Sequence, residues 1–259
     1  MSISAGGHGA ATSPGIVIAV DGPSASGKSS ASRGAARALG LRYLDTGSMY
    51  RALTWWMLAR GIPADDPAAV AQAVGEPSIE VGTDPDGPWV RVDGQDVTAA
   101  VRTQEVTSAV SAVARVPQVR ARLIALQREI IARARAEGRG IVAEGRDIGT
   151  VVAPDAVVKV YLTASERVRA QRRTAESVAS PDVTASTSQH GTGQHGTGQV
   201  EATEADQARR DRMDAGQLAR ADDAVEIDST MFGLEDVIGM IAGLAQERAG
   251  LTDTARTTR

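Results

Sequence analysis

Residues 19–30 read AVDGPSASGKSS, and this stretch decides the fold. It contains the phosphate-loop pattern G-x-x-x-x-G-K-[ST], with an apolar strand before it and a helical segment after it, as the pattern requires. Glycines let the backbone approach phosphates, Lys28 suits the β- and γ-oxygens, and the Ser29 hydroxyl suits Mg²⁺. The sequence therefore predicts a site for a nucleoside triphosphate and Mg²⁺. Its predicted residues are Gly22, Pro23, Ser24, Ala25, Ser26, Gly27, Lys28, Ser29 and Ser30.

Apolar runs bounded by turn residues alternate with helical patterns on both sides of this loop. The runs are nearly continuous in apolar character, which is typical of strands covered on both faces in a parallel sheet. The sequence therefore predicts an α/β fold of the P-loop NTPase type, with a doubly wound parallel five-stranded sheet. The predicted strands are 16–20, 42–44, 140–143, 157–162 and 225–227, and the predicted helices are 29–39, 48–60, 117–137 and 234–246.

Two regions interrupt this alternation. Residues 61–114 contain SIEVG and WVRVDG separated by TDPDGP, which predicts a β-hairpin in a small inserted domain. Residues 177–205 contain the tandem repeat HGTGQHGTGQ and predict a low-complexity insertion within a mobile lid at 170–214. A core at 15–60 and 115–247, with flexible tails at 1–14 and 248–259, completes the predicted organisation.

Composition excludes several classes of protein. The chain has no cysteine, so disulfides and zinc–thiolate sites are impossible, and its net charge of −4 argues against a general nucleic-acid partner. It has no apolar run long enough for a membrane span and no secretory signal, so we expect a cytoplasmic protein without a membrane partner. It has no asparagine, so the N-K-x-D motif of GTPases cannot occur. GIVAEG (140–145) falls short of the acid-terminated strand of an ATPase.

Cationic and polar residues follow the predicted strands and the insertion, where a second, anionic substrate would bind. Thr46, Tyr50 and Arg51 follow the second strand at a helix N-terminus, which favours anions. Arg146 and Asp147 follow the strand at 140–143, at the carboxyl end where open α/β sheets bind ligands. This arrangement favours a kinase acting on a small phosphorylated molecule.

The stretches DGPSASGKSS, YLDTGSMYR, VRTQEV, VPQVR, EGRDIGTVVAPDAVVKVYLTAS, RRD and DDAVEIDST resemble the bacterial cytidylate kinases, which are nucleoside monophosphate kinases. The resemblance runs from about residue 16 to 245. It implies that a monomer transfers the γ-phosphoryl group of ATP to CMP or dCMP, and that residues 61–114 form the monophosphate-binding domain. It implies that Lys28, Arg146, Arg172 and Arg210 are catalytic. It implies that CMP contacts Thr46, Tyr50, Arg51, Arg102, Ser111, Arg120, Arg146, Asp147, Arg210 and Asp214.

Within this resemblance, Ser111, Arg120 and Asp147 would read the cytosine edge, and Asp214 would meet the ribose. Arg172, Arg173 and Arg210 would belong to the lid. The lid departs from the family pattern, because RRDRMD (209–214) is followed by AGQLARADDA without the usual Ser, Arg and Pro-Leu. Arg212 or Arg220 could replace the missing arginine, or the enzyme could be slow. A paralogue without efficient turnover and a UMP kinase are the alternatives, and we favour an active kinase.

Overall fold

The computed structural model describes residues 15–179 and 220–249, with side chains described at 15–175 and 220–249. The predicted N-terminal tail, nearly all of the predicted C-terminal tail, most of the low-complexity insertion predicted at 177–205, and the lid residues Arg210, Arg212 and Asp214 lie outside these ranges.

A five-stranded parallel sheet forms the centre of the protein, in the order β2-β6-β1-β7-β8. Each strand lies within two residues of its predicted bounds, which confirms the predicted fold class. Strand β1 is central, with β6 on one side and β7 on the other. Both neighbours run parallel to β1, so the chain reaches each of them through a crossover connection. The strands are β1 Val17–Asp21, β2 Arg42–Asp45, β6 Ile141–Gly145, β7 Val158–Thr163 and β8 Val225–Asp228.

Helices fill the connections, and local sequence explains several of their ends. The Asp45 side chain accepts a hydrogen bond from the Ser48 amide at the start of α2, and Pro117 occupies the first turn of α5. Helices α3, α4 and α6 were not predicted. In the described residues, no helix has the length and apolar character needed to cross a membrane. The helices are α1 Lys28–Leu39, α2 Thr46–Ala59, α3 Pro67–Ala73, α4 Gln104–Ala114, α5 Pro117–Ala136, α6 Glu166–Ala179 and α7 Leu234–Arg248.

The two faces of the sheet bury separate apolar clusters. Val17 and Ala19 of β1 pack on the side of α2 and α5, whereas Ile18 and Val20 pack on the side of α1 and α7. This alternation follows from the two-residue period of a strand, and all four side chains are fully buried. Helices α1 and α7 approach closely at Gly34, where a Cβ would lie 2.1 Å from Ile238 Cδ1.

A second sheet lies between α3 and α4. It contains β3 Ile79–Val81, β4 Val90–Val92 and β5 Gln95–Asp96, with antiparallel pairing throughout. This pairing confirms the predicted hairpin, while the short β5 was not predicted. Ile79, Val90 and Val92 join the same apolar cluster as α2 and α5, so the small sheet packs against α2 and shares a core with the large sheet.

The loop joining β3 and β4 (residues 82–89, the hairpin loop) contacts the core near the phosphate loop. The Thr83 carbonyl accepts a 2.9 Å hydrogen bond from the Tyr43 amide of β2. On α1, Arg33 and Arg37 both donate to the Pro85 carbonyl, and Arg37 pairs with Asp86. The helix that follows the phosphate loop is thereby joined to the small sheet.

Candidate active site

The phosphate loop occupies the turn between β1 and α1, and its backbone depends on glycine. Gly22 has φ +149°, and a Cβ there would lie 2.0 Å from the Leu162 carbonyl oxygen. Gly27 caps α1 in the left-handed region at φ +89°. Among the described residues, no side chain caps this helix start, so its first amides are available to an anion.

Lys28 begins α1 beneath these amides. Its Nζ donates a 2.7 Å hydrogen bond to the Pro23 carbonyl, which folds the side chain back over the loop. Burial, together with the nearby charge of Arg146, lowers the pKa of Lys28 to about 8. A bound phosphate would favour the charged ammonium, because a nearby opposite charge stabilises it.

Glu144 is a site residue that the sequence analysis did not select. It lies on β6 opposite Val20 of β1 and is 3% exposed. Tyr43 donates a 2.6 Å hydrogen bond to its Oε1, while the buried Oε2 has no hydrogen bond of ordinary geometry among the described residues. Burial raises the pKa of Glu144 to about 7, and Lys28 opposes this shift.

The start of α2 places polar groups next to Glu144. Thr46 donates a 2.7 Å hydrogen bond to the Glu144 carbonyl. Asp45, which caps the helix, lies 4.0 Å from Arg102 on the small-sheet side. The sequence analysis did not select Asp45, although its place before a helix is a usual capping signal.

Arg51 lies one turn further along α2, and α4 orients it. Its Nη1 donates to the Thr107 hydroxyl at 2.8 Å and also contacts the Val101 carbonyl. Arg102 occupies the end of a 3₁₀ turn at Ala100–Arg102, and its side chain is 71% exposed. The two arginines therefore differ, because Arg51 is held by hydrogen bonds whereas Arg102 is mostly exposed and approaches Asp45 at 4.0 Å.

Arg146 and Asp147 follow β6, as predicted. Arg146 Nη1 donates to the Gly22 carbonyl at 3.1 Å, which brings this segment against the phosphate loop. Asp147 pairs with Arg120 of α5, and both side chains are largely buried. Burial, followed by the Asp147 charge, raises the pKa of the neighbouring Tyr50 phenol to about 12.

These groups line one cavity of about 990 Å³. The phosphate loop forms one wall, α2, α4 and the Arg146 segment form others, and the hairpin loop adds Trp89. Gly22, Pro23, Ser26 and Arg172 lie outside the lining. The predicted residues that line it are Ser24, Ala25, Gly27, Lys28, Ser29, Ser30, Thr46, Tyr50, Arg51, Arg102, Ser111, Arg120, Arg146, Asp147 and Arg173.

A sequence profile described as cytidylate kinase matches residues 18–247. The chain belongs to the cytidylate kinase family. The cytidylate kinase of Streptomyces coelicolor is 50% identical over 245 residues, covering 94% of this chain and 99% of that protein. The Rhodococcus opacus and Mycobacterium leprae cytidylate kinases are 46% and 43% identical. Each of the two alignments covers 91% of this chain and 97% of the relative.

Arg172, which resemblance to the cytidylate kinases predicts to be a lid residue, lies behind the phosphate loop. It donates to the Ser26 carbonyl at 3.1 Å and to the hydroxyl and carbonyl of Ser229, both at 2.9 Å. Ser229 follows β8 and was not among the predicted site residues. Arg220, one candidate to replace the missing lid arginine, pairs with Glu226, and both side chains are about half exposed.

Proposed function

We propose that this protein transfers the γ-phosphoryl group of ATP to CMP or dCMP, forming ADP and CDP or dCDP. The observation that carries this proposal is that the phosphate loop and the predicted acceptor residues line the same cavity. The phosphate loop lines one part of it, and Arg51, Arg146 and Asp147 line another. The family membership of the chain agrees with this two-substrate arrangement.

The donor half would bind ATP through the phosphate loop. The free amides of α1 and the Lys28 ammonium would contact the phosphate oxygens. Ser29 and Glu144 fit a hard cation. A hydroxyl and a buried carboxylate oxygen are ligands of the kind Mg²⁺ accepts, and Glu144 Oε2 receives no hydrogen bond of ordinary geometry from the described residues. When bound, Mg²⁺ supplies charge neutralisation on the transferring phosphoryl group.

The acceptor half would hold the monophosphate in line with the donor. Arg51 and Arg146 approach the cavity from α2 and from the end of β6, and Thr46 and Tyr50 lie beside them. A nucleoside monophosphate is already ionised at neutral pH, so the reaction needs no general base. Positioning and charge neutralisation would therefore supply the rate acceleration.

The base would bind where Ser111, Arg120 and Asp147 meet. Asp147 offers a carboxylate acceptor to the cytosine amino group, while Ser111 and Arg120 offer donors to its ring nitrogen and carbonyl. Without a base, Arg120 neutralises Asp147. The bound cytosine would share this pair, so neither charged group would lose a partner.

The remaining lid assignments are also part of the proposal. Arg172 would support the donor side, since its contacts with Ser26 and Ser229 fix the phosphate loop from behind. Arg210 and Asp214 would complete the lid and the ribose contact. The protein would act as a monomer, as the resemblance to the cytidylate kinases implies.

ATP consumption measured with CMP, dCMP, UMP, AMP or water as acceptor tests this function. CMP and dCMP should give the highest rates, and water should give almost none. Arg51→Ala should strongly lower kcat/KM for CMP, whereas Arg135→Ala, which removes an arginine paired with Asp155 outside the cavity, should not. ATP binding without CDP formation, or a faster rate with UMP, would refute the proposal.

A further inference from the structure

Asp21 lies at the point where the donor loop begins. It is the last residue of β1, in register with Gly145 of β6 and Tyr161 of β7, and Gly22 follows it directly. The residue is 5% exposed. Its carboxylate therefore lies inside the protein, at the carboxyl end of the central strand.

This carboxylate caps a distant segment of the chain. Its Oδ1 accepts a hydrogen bond from the Ile148 amide and its Oδ2 accepts one from the Gly149 amide, both at 2.8 Å. These amides begin the π-helical segment Ile148–Val152, which directly follows Arg146 and Asp147. Amides in a first helical turn have no partner within the helix, so Asp21 satisfies both of them across more than 120 residues of sequence.

The segment that Asp21 caps is closely packed, and a further hydrogen bond joins it to the phosphate loop. A Cβ at Gly149 would lie 3.2 Å from Lys159 Cδ and 3.4 Å from Asp21 Oδ2, so a larger residue fits there only if Lys159 shifts. In the opposite direction, Arg146 donates to the Gly22 carbonyl at 3.1 Å. The segment that follows β6 is thus hydrogen-bonded both to the Asp21 side chain and, through Arg146, to the phosphate loop.

A carboxylate is a costly group at this position. Burial raises the pKa of Asp21 to about 6, although both backbone hydrogen bonds oppose that shift. An uncharged side chain would fill the same space without this desolvation cost. An asparagine, however, has one acceptor and one donor at its end, and its NH₂ would face one of the two amides. The pair of amides therefore favours a carboxylate.

We propose that Asp21 is a positioning residue that fixes the acceptor-binding segment, through Arg146 and Asp147, relative to the donor phosphate loop. This inference rests on the proposed function, because only a two-substrate reaction requires both halves to be aligned. A misplacement of about 1 Å in such an alignment can cost about 100-fold in rate. Asp21 would act without contacting either substrate.

The test is Asp21→Asn in the full chain, which keeps the shape of the side chain and removes the second acceptor. We expect kcat/KM for CMP to fall by about tenfold or more, because the Arg146 segment shifts. ATP affinity, measured calorimetrically without CMP, should stay within about twofold of wild type, since the phosphate loop is unchanged. Asp155→Asn is the matched control, because it makes the same change in an exposed ion pair outside the cavity.

An unchanged kcat/KM for CMP in Asp21→Asn would overturn the inference. A loss of ATP affinity as large as the loss in kcat/KM for CMP would also overturn it. If that variant does not fold, Gly149→Ala decides by the same two measurements, since its added methyl would press on Lys159 and should displace the segment that Asp21 caps. A wild-type protein that forms no CDP would instead refute the proposed function. The two failures are therefore distinguishable.

Discussion

The Asp147→Asn variant should change which base the enzyme selects. Asp147 is 7% exposed, so its carboxylate would receive the cytosine amino group with little competition from water. A hydrogen bond to a charged group contributes about 1.5–3 kcal/mol, which corresponds to about 10- to 150-fold in kcat/KM for CMP. Uracil has a carbonyl at that position, and an asparagine amide can donate to it. We therefore expect kcat/KM for UMP to stay constant or rise.

The assay is ATP consumption at saturating ATP over a range of CMP and UMP concentrations. Arg120 loses its charged partner in this variant, but its side chain is 22% exposed and water can solvate it, so the fold should persist. Circular dichroism of the variant checks this point, and Asp155→Asn controls for the loss of one acid. An unchanged ratio of kcat/KM for CMP to that for UMP would refute the assignment of Asp147 to base reading.

Four further predictions concern the donor site and stability. Lys28→Ala should keep the fold and lose about 100- to 1,000-fold in kcat, so near-normal turnover would contradict its role. Glu144→Gln should raise the Mg²⁺ concentration for half-maximal rate by about 10- to 100-fold, and an unchanged Mg²⁺ titration would remove Glu144 from the metal site. The pKa of Asp21 is raised to about 6, so the folded state binds the extra proton between about pH 4 and 6. The protonated Asp21 side chain should contribute about 3 kcal/mol to the free energy of unfolding below about pH 4, and this contribution should be lost as the pH rises through 6. In urea unfolding, the free energy of unfolding of wild type relative to Asp21→Asn should therefore fall as the pH rises. Gly34→Ala should destabilise the protein by about 1–3 kcal/mol through its clash with Ile238, and thermal unfolding should show no such cost in an Ile238→Ala background.

The strands of the large sheet could be predicted because their apolar runs are continuous and end at turn residues. The hairpin was predicted for a similar reason, since TDPDGP separates two strand-like stretches. The two-residue β5 and the π-helical segment after Asp147 carry no comparable signal. Their form depends on contacts with residues distant in sequence, such as the hydrogen bonds from Asp21.

The residues of the candidate site likewise fall into those that local sequence patterns identify and those whose position depends on distant contacts. Motifs identified Lys28 and Arg146, because their chemistry is tied to short local patterns. Glu144 was missed, since its strand has fewer apolar residues before the acid than the pattern requires, and only the register with β1 brings it beside the phosphate loop. The position of Arg172 behind the loop depends on Ser229, which is 57 residues away.

The hydrogen bond from the Tyr43 amide to Thr83 has a consequence for the modularity of the protein. Strand β2 is the outermost strand on its side of the sheet, and an uncovered outer strand is a template for self-association. The hairpin loop occupies that position. An excised core without residues 61–114 would therefore expose a bare strand to other copies and aggregate. The small sheet therefore covers an edge of the large sheet as well as contributing to the cavity.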